Sequence, residues 1–154
     1  RDRVILSKGH GAAGLYAVLF HNGLLTQEDI DSFFLDGTLL AGHASHFVEN
    51  VEHSTGALGH GLPVGLGVAI GSRSKGFDNR VFVVVGDGEL HEGSNWEAMM
   101  YAGHKAVGNL CVLVDNNGRT MTGKVEDECS IEPLKSKFGV LKCCYKWKSQ
   151  AKPA

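Results

Sequence analysis

Apolar positions in residues 11–22 (GAAGLYAVLFHN) recur at helical spacing. Leu15, Tyr16, Leu19 and Phe20 share one face, and Asn22-Gly23 supplies a C-terminal stop, so the pattern predicts a buried helix. Thr26 with Asp29 three residues later forms a variant of the capping box, and Ile30, Phe33 and Phe34 follow as the apolar stripe of a second helix. Residues 56–72 (GALGHGLPVGLGVAIGS) are a glycine-rich apolar helix candidate, whose small residues permit close packing against a backbone, a sheet or a ligand.

Residues 80–86 (RVFVVVG) are a β-branched run closed by glycine, and residues 109–114 (NLCVLV) are a second run closed by Asp-Asn-Asn-Gly. Both read as buried strands. Between them Ser94 and Glu97 suggest another capping box, and Trp96, Met99, Met100 and Gly103 recur at helical spacing, with Trp96, Met99 and Met100 assigned to the core. A strand–helix–strand unit implies a right-handed crossover and parallel strands. The predicted fold is therefore α/β, an open, doubly wound, mostly parallel sheet with helices on both faces, incomplete at both ends; the chain is too short for a barrel.

Composition narrows the class without changing the fold. The 154 residues suit one core of ordinary domain size, about 100–150 residues, and chemistry that needs a second domain requires another chain. The longest mostly apolar run, residues 62–70, is broken by Pro63, Gly65 and Gly67 and is far shorter than the roughly 20 residues that span a bilayer, so no membrane association is expected. The opening residues have neither an apolar signal core nor an initiator methionine, which reads as a truncated start. Cys111, Cys129, Cys143 and Cys144 form no C-x-x-C pair and read as reduced thiols of a cytoplasmic protein. Residues 133–154 hold six lysines and no acid, leaving 9 bases against 17 acids before them; an acidic body argues against nucleic-acid binding. The expected organisation is a module over residues 1–140 followed by an atypical lysine-rich tail, 141–154, that replaces the continuation of the sheet.

Unusual residues concentrate after the two strands, where open α/β sheets bind ligands. Gly86-Asp87-Gly88-Glu89-Leu90-His91-Glu92-Gly93 follows the first and Asp115-Asn116-Asn117-Gly118 the second. Two glycines around one aspartate let backbone approach an anion while the carboxylate reaches outward, and a following helix N-terminus favours negative charge. The set suits a diphosphate bridged by a hard ion, Mg2+ or Ca2+, taking oxygens from Asp87, an asparagine amide and a main-chain carbonyl. A tight turn followed by an Asn-Gly turn is the plainer alternative. A dinucleotide fingerprint fails at its third glycine, where His91 stands, and no phosphate-binding G-x-x-x-x-G-K-[ST] occurs.

Gly86-Asp87-Gly88, 27 intervening residues and Asn116-Asn117 resemble the thiamine diphosphate motif. Ser7-Lys8-Gly9-His10-Gly11, Gly42-His43, Ser54-Thr55-Gly56-Ala57-Leu58-Gly59-His60-Gly61 and Trp96-Glu97-Ala98, in that order, narrow the resemblance to the N-terminal, diphosphate-binding module of transketolase. The resemblance covers about residues 1–140 and implies thiamine diphosphate and Mg2+ or Ca2+ as cofactors. It implies Asp87, the Asn117 side chain and the main-chain carbonyl of Arg119 as metal ligands. Gly56, Ala57, Leu58, Gly86, Asp87, Gly88 and Asn117 would form the cofactor site. His10 and His43 would orient sugar hydroxyls and assist proton transfer, and Glu92 would support a catalytic carboxylate at an interface between subunits.

The implied reaction moves a two-carbon ketol unit from a ketose phosphate to an aldose phosphate, as in the pentose phosphate pathway. It needs a pyrimidine-binding partner module, in a dimer or heterotetramer, because no carboxylate here matches the one expected beside the aminopyrimidine; the chain alone is expected to be inactive. A deoxyxylulose phosphate synthase-like or other thiamine diphosphate enzyme, and an inactive metal- or diphosphate-binding remnant, are the alternatives. His60 stands where the family has glutamine, while His46, His53, His91 and His104 have no implied role. A His43-x-x-His46 zinc pair lacks two further ligands.

Overall fold

The computed structural model describes residues 1–141 and 145–149, the last five as backbone only. Four parallel strands, β1 (Arg3–Leu6), β2 (Val81–Gly86), β3 (Leu110–Asn116) and β4 (Tyr145–Ser149), lie side by side in sequence order. Val83 pairs with Ile5 on one side and Val112 on the other, so their side chains line one face. The architecture is α/β with a parallel sheet, as expected.

Among the described residues six α-helices accompany the strands: α1 (Ala12–His21), α2 (Gln27–Asp31), α3 (Gly61–Ser74), α4 (Gly93–His104), α5 (Val125–Glu128) and α6 (Leu134–Val140). Helices α3, α4 and α6 cover the face that carries Val83, with Val125 of the short α5 in the same cluster. Leu62, Leu66, Ala69, Ala98, Met99, Ala102, Leu134 and Phe138 share one core with Val81, Val83, Val85, Leu110, Val112 and Val114. At about 1.5–3 kcal/mol for each fully buried aliphatic side chain, this cluster is the main favourable contribution to folding. A Cβ on Gly65 would overlap Val83, so the glycine lets α3 sit directly on β2, as its small-residue pattern predicts. The opposite face carries a smaller core: Leu6 packs with Tyr16 and Leu19 of α1 and with Leu25, Leu40, Ala44 and Val48. Phe82, Val84 and Leu113 on this face are half-buried.

Several local expectations need correction. The Thr26/Asp29 box forms on both sides, but its helix α2 stops early; Phe34 turns out at φ 62° and is 74% exposed. Phe20 also leaves the buried face of α1. The glycine-rich helix begins at Gly61, not Gly56, because residues 56–60 form a turn. The Ser94/Glu97 box is absent: Glu92 is the N-cap of α4, and the Ser94 hydroxyl donates to the Gly59 carbonyl at 2.6 Å. Met99 is fully buried, Trp96 partly buried, and Met100 points outward.

The strand β4 lies within the stretch expected to form a separate tail and pairs with β3 from Val112 to Asn116. Cys143 and Cys144 lie outside the described residues, whereas Cys111 is buried and Cys129 exposed. Among the described residues, no helix is long and apolar enough to cross a membrane.

Candidate cofactor and metal site

Because the strands are parallel, their carboxyl ends meet at one edge of the sheet. There β1 runs into Ser7-Lys8-Gly9-His10, β2 into Gly86-Asp87-Gly88, and β3 into Asp115-Asn116-Asn117. The turn 56–60 arrives beside them from the start of α3.

Asp87 is 1% exposed, and its carboxylate ties two strand ends together. One oxygen accepts from the Gly88 N–H at 3.0 Å and the other from the Gly118 N–H at 2.6 Å. The Asp87 N–H donates in turn to the Asp115 carbonyl at 3.2 Å. The Asn117 Oδ1 accepts from the Arg119 N–H at 2.9 Å. The Arg119 carbonyl oxygen lies 3.2 Å from the place a Cβ on Gly88 would occupy. The Asp87 carboxylate thus clasps the ends of β2 and β3, and Asn117 and Arg119, the other two expected ligands, flank the Gly118 amide it holds.

The chemistry of this donor set fits a hard divalent cation. Each Asp87 oxygen and the Asn117 Oδ1 accepts one of these hydrogen bonds and keeps a further lone pair, and carboxylate, amide and carbonyl oxygens are the ligands such ions take. Among the described residues no group of three His, Cys, Asp or Glu side chains could hold a metal ion.

Beside the clasp, Lys8 donates to Asp115 at 2.6 Å, in a partly buried ion pair. The Lys8 stem lies against Gly86, 3.4 Å from a Cβ placed there, so this cation flanks the turn that carries Asp87.

His10 and His43 come together as an edge-to-face pair, ring centroids 4.9 Å apart. His10 and His43 are both exposed. The main chain of Gly9 and Gly56 makes a close crossing next to them: a Cβ on Gly9 would stand 2.7 Å from the Gly56 nitrogen, and one on Gly56 3.2 Å from the His43 ring. Gly56 also has φ 138°, a conformation that favours glycine. Tyr16 reaches from the minor core to donate its hydroxyl to the His43 carbonyl at 3.0 Å, fixing the loop that carries this ring. Burial raises the Tyr16 phenol above its ordinary pKa, so it stays a donor.

The remaining expected residues frame these two centres. Ala57 is exposed and Leu58 half-buried, and the His60 ring folds back within 3.2 Å of the Ala57 carbonyl and 3.1 Å of the Leu58 carbonyl. Glu92 is exposed at the head of α4 with its stem against Gly59. His46 binds the Ser54 hydroxyl at 2.6 Å and His91 the Cys129 carbonyl at 2.8 Å.

Sequence reasoning assigns no role to Glu89, which is 3% exposed. Its carboxylate accepts from the Ser7 hydroxyl at 2.5 Å, the Gly59 N–H at 3.1 Å and the Gly86 N–H at 3.1 Å. An acid amid the residues after a buried strand is a visible signal; its partners, 82, 30 and 3 positions away, are not.

Comparison with known proteins identifies the family. The family model described as "Transketolase, thiamine diphosphate binding domain" matches residues 1–152. One of the subunits of the apulose-4-phosphate transketolase of Actinobacillus succinogenes is 40% identical over 139 residues, covering 90% of this chain and 50% of that protein. Rhodobacter capsulatus transketolase is 40% identical over 135 residues, which span 81% of this chain and 20% of that one. In the solved transketolase of Leishmania mexicana, 34% identical, the match covers 92% of this chain and 23% of the other with a TM-score of 0.86. The chain thus spans half or less of the length of these relatives. With the family model matched along nearly its whole length, this chain belongs to the transketolase thiamine diphosphate-binding domain family.

Proposed function

We propose that this chain is the diphosphate-holding part of a transketolase, working with a pyrimidine-binding partner to move a two-carbon ketol unit between sugar phosphates. The observation that carries the reading is the placement of the Asp87 clasp, with Asn117 and Arg119 beside it, and a His10–His43 pair around the strand ends of one chain.

Asp87, the Asn117 amide oxygen and the Arg119 carbonyl would hold Mg2+ or Ca2+, with the diphosphate completing its shell. Gly86, Gly88 and the backbone of Gly56, Ala57 and Leu58 would let the diphosphate approach closely. When bound, thiamine diphosphate supplies the nucleophilic carbon and the electron sink for breaking a carbon–carbon bond beside a ketone. His10 and His43, at the surface next to Gly56, orient the sugar hydroxyls and carry protons to and from them; an imidazole near neutrality does both. Glu92, exposed at the head of α4, is placed to meet the partner.

The Actinobacillus relative, itself named as one subunit of its enzyme and matched by this chain over half its length, supports a division of labour between polypeptides; a dimer or heterotetramer is the assembly we propose. A cytoplasmic setting suits the cysteine usage and the sugar phosphate substrates.

An assay of ketol transfer between a ketose phosphate and an aldose phosphate, with thiamine diphosphate and Mg2+, tests the proposal. Turnover with the partner and none without it is the expected result. Turnover by a partner-free sample would refute the division of labour.

A further inference from the structure

Four chain segments converge on Glu89. Ser7 follows β1 directly and leads into the strand-end loop that bears His10; Gly59 lies in the turn 56–60; Gly86 closes β2 immediately before Asp87. Each donates to the same buried carboxylate, Ser7 and Gly59 to one oxygen and Gly86 to the other. The fourth segment, the start of α4, holds Glu89 from behind. Asn95, itself fully buried, donates its amide to the Glu89 carbonyl at 2.8 Å, and Trp96 donates to the Leu90 carbonyl at 2.7 Å. Ser94 takes the other side of Gly59 by donating to its carbonyl.

A desolvated carboxylate persists in a fold only when donors are aimed at it, and here two of the three donors are main-chain N–H groups of the turns that flank the proposed cofactor site. Ser7 is itself closely packed, since a Cβ on Gly61 would overlap it. A neutral amide of the same shape cannot replace it: glutamine has one acceptor oxygen, so its NH2 must face either the Gly86 N–H or the Gly59 N–H, donor against donor.

We infer that Glu89 is a positioning residue whose buried carboxylate sets the separation between the turn 56–60 and the Gly86-Asp87-Gly88 turn, and thereby the affinity of the site for metal-bound diphosphate. This rests on the functional reading above and adds a group that touches neither cofactor nor substrate. Its removal loosens the cradle and leaves the proton-transferring histidines unaltered in kind.

The test uses the chain assembled with its partner, as wild type, Glu89→Gln, Glu89→Ala and Ser7→Ala. Hydrogen exchange of the cofactor-free protein reads the Gly59 and Gly86 amides, calorimetry reads thiamine diphosphate affinity at fixed Mg2+, and a transfer assay at saturating cofactor reads kcat. Glu89→Gln should speed exchange at one or both glycines and weaken the cofactor by about 10- to 100-fold, the equivalent of one hydrogen bond to a charged group, while kcat stays within about threefold. Glu89→Ala should lose more affinity and Ser7→Ala less; Ser7→Ala, which deletes a single hydroxyl, keeps the test decisive if the Glu89 variants do not fold. A lower melting temperature with cofactor affinity within about twofold of wild type in the folded variants would reduce Glu89 to a structural role and overturn the inference alone. Failure of the wild-type assembly to bind thiamine diphosphate would overturn the functional reading and this inference with it.

Discussion

The Gly118 amide donates to the Asp87 carboxylate at 2.6 Å, across 31 residues of chain, and so clasps the end of β2 to the end of β3. Asp87 is thereby buried and oriented by the protein before any ligand arrives. A carboxylate oriented in advance spends less conformational entropy on binding an ion, which is the general advantage of preorganisation.

His10 and His43 lie with ring centroids 4.9 Å apart, away from the Asp87 clasp in chemistry though on the same edge of the sheet. His10→Ala and His43→Ala should therefore keep thiamine diphosphate affinity and lose ketol transfer by about 10²–10⁴-fold. Calorimetry and a transfer assay on the same preparations check this; wild-type turnover in either variant would remove that histidine from the reaction.

Two glycines near the start of the chain should respond in opposite ways to the same substitution. A Cβ on Gly9 meets Gly56 backbone at 2.7 Å, which no side-chain motion relieves, so Gly9→Ala should cost about 1–3 kcal/mol and weaken cofactor binding. A Cβ on Gly14 within α1 meets nothing within 4 Å, so Gly14→Ala should stabilise by about 0.5–1 kcal/mol. Urea unfolding of both variants against wild type measures the contrast, and equal shifts of the same sign would contradict the crossing of Gly9 and Gly56.

Much of this is legible in the sequence, for identifiable reasons. The turns that carry Asp87 and Asn117 follow two β-branched runs, and the Thr26/Asp29 box is local, so both can be read from neighbouring residues. The Ser94/Glu97 box fails because a tertiary partner, the Gly59 carbonyl, takes the serine hydroxyl. The strand β1 escapes notice because only four residues pair and charged Arg1, Asp2 and Arg3 make them resemble a solvated end. The role of Glu89 is hidden because two of its three donors are main-chain groups, which no side-chain pattern reveals.

Tyr16 is 1% exposed and its hydroxyl reaches the His43 carbonyl. Tyr16→Phe should destabilise the assembled protein by about 1–2 kcal/mol, leave cofactor affinity unchanged, and lower the transfer rate by roughly tenfold or less through a loosened His43 loop. Paired measurement of affinity and turnover checks this; a large loss of cofactor binding would place Tyr16 in a different role.

Calorimetric titration of thiamine diphosphate in the presence of Mg2+ tests the cation clasp most directly, using wild type, Asp87→Ala and Asn117→Ala, each assembled with the pyrimidine-binding partner. Asp87 is the single carboxylate of the proposed shell, so the predicted result is metal-dependent binding by wild type, its loss in Asp87→Ala and a smaller weakening in Asn117→Ala. Equal cofactor affinity in wild type and Asp87→Ala, with the same partner and metal, would contradict it.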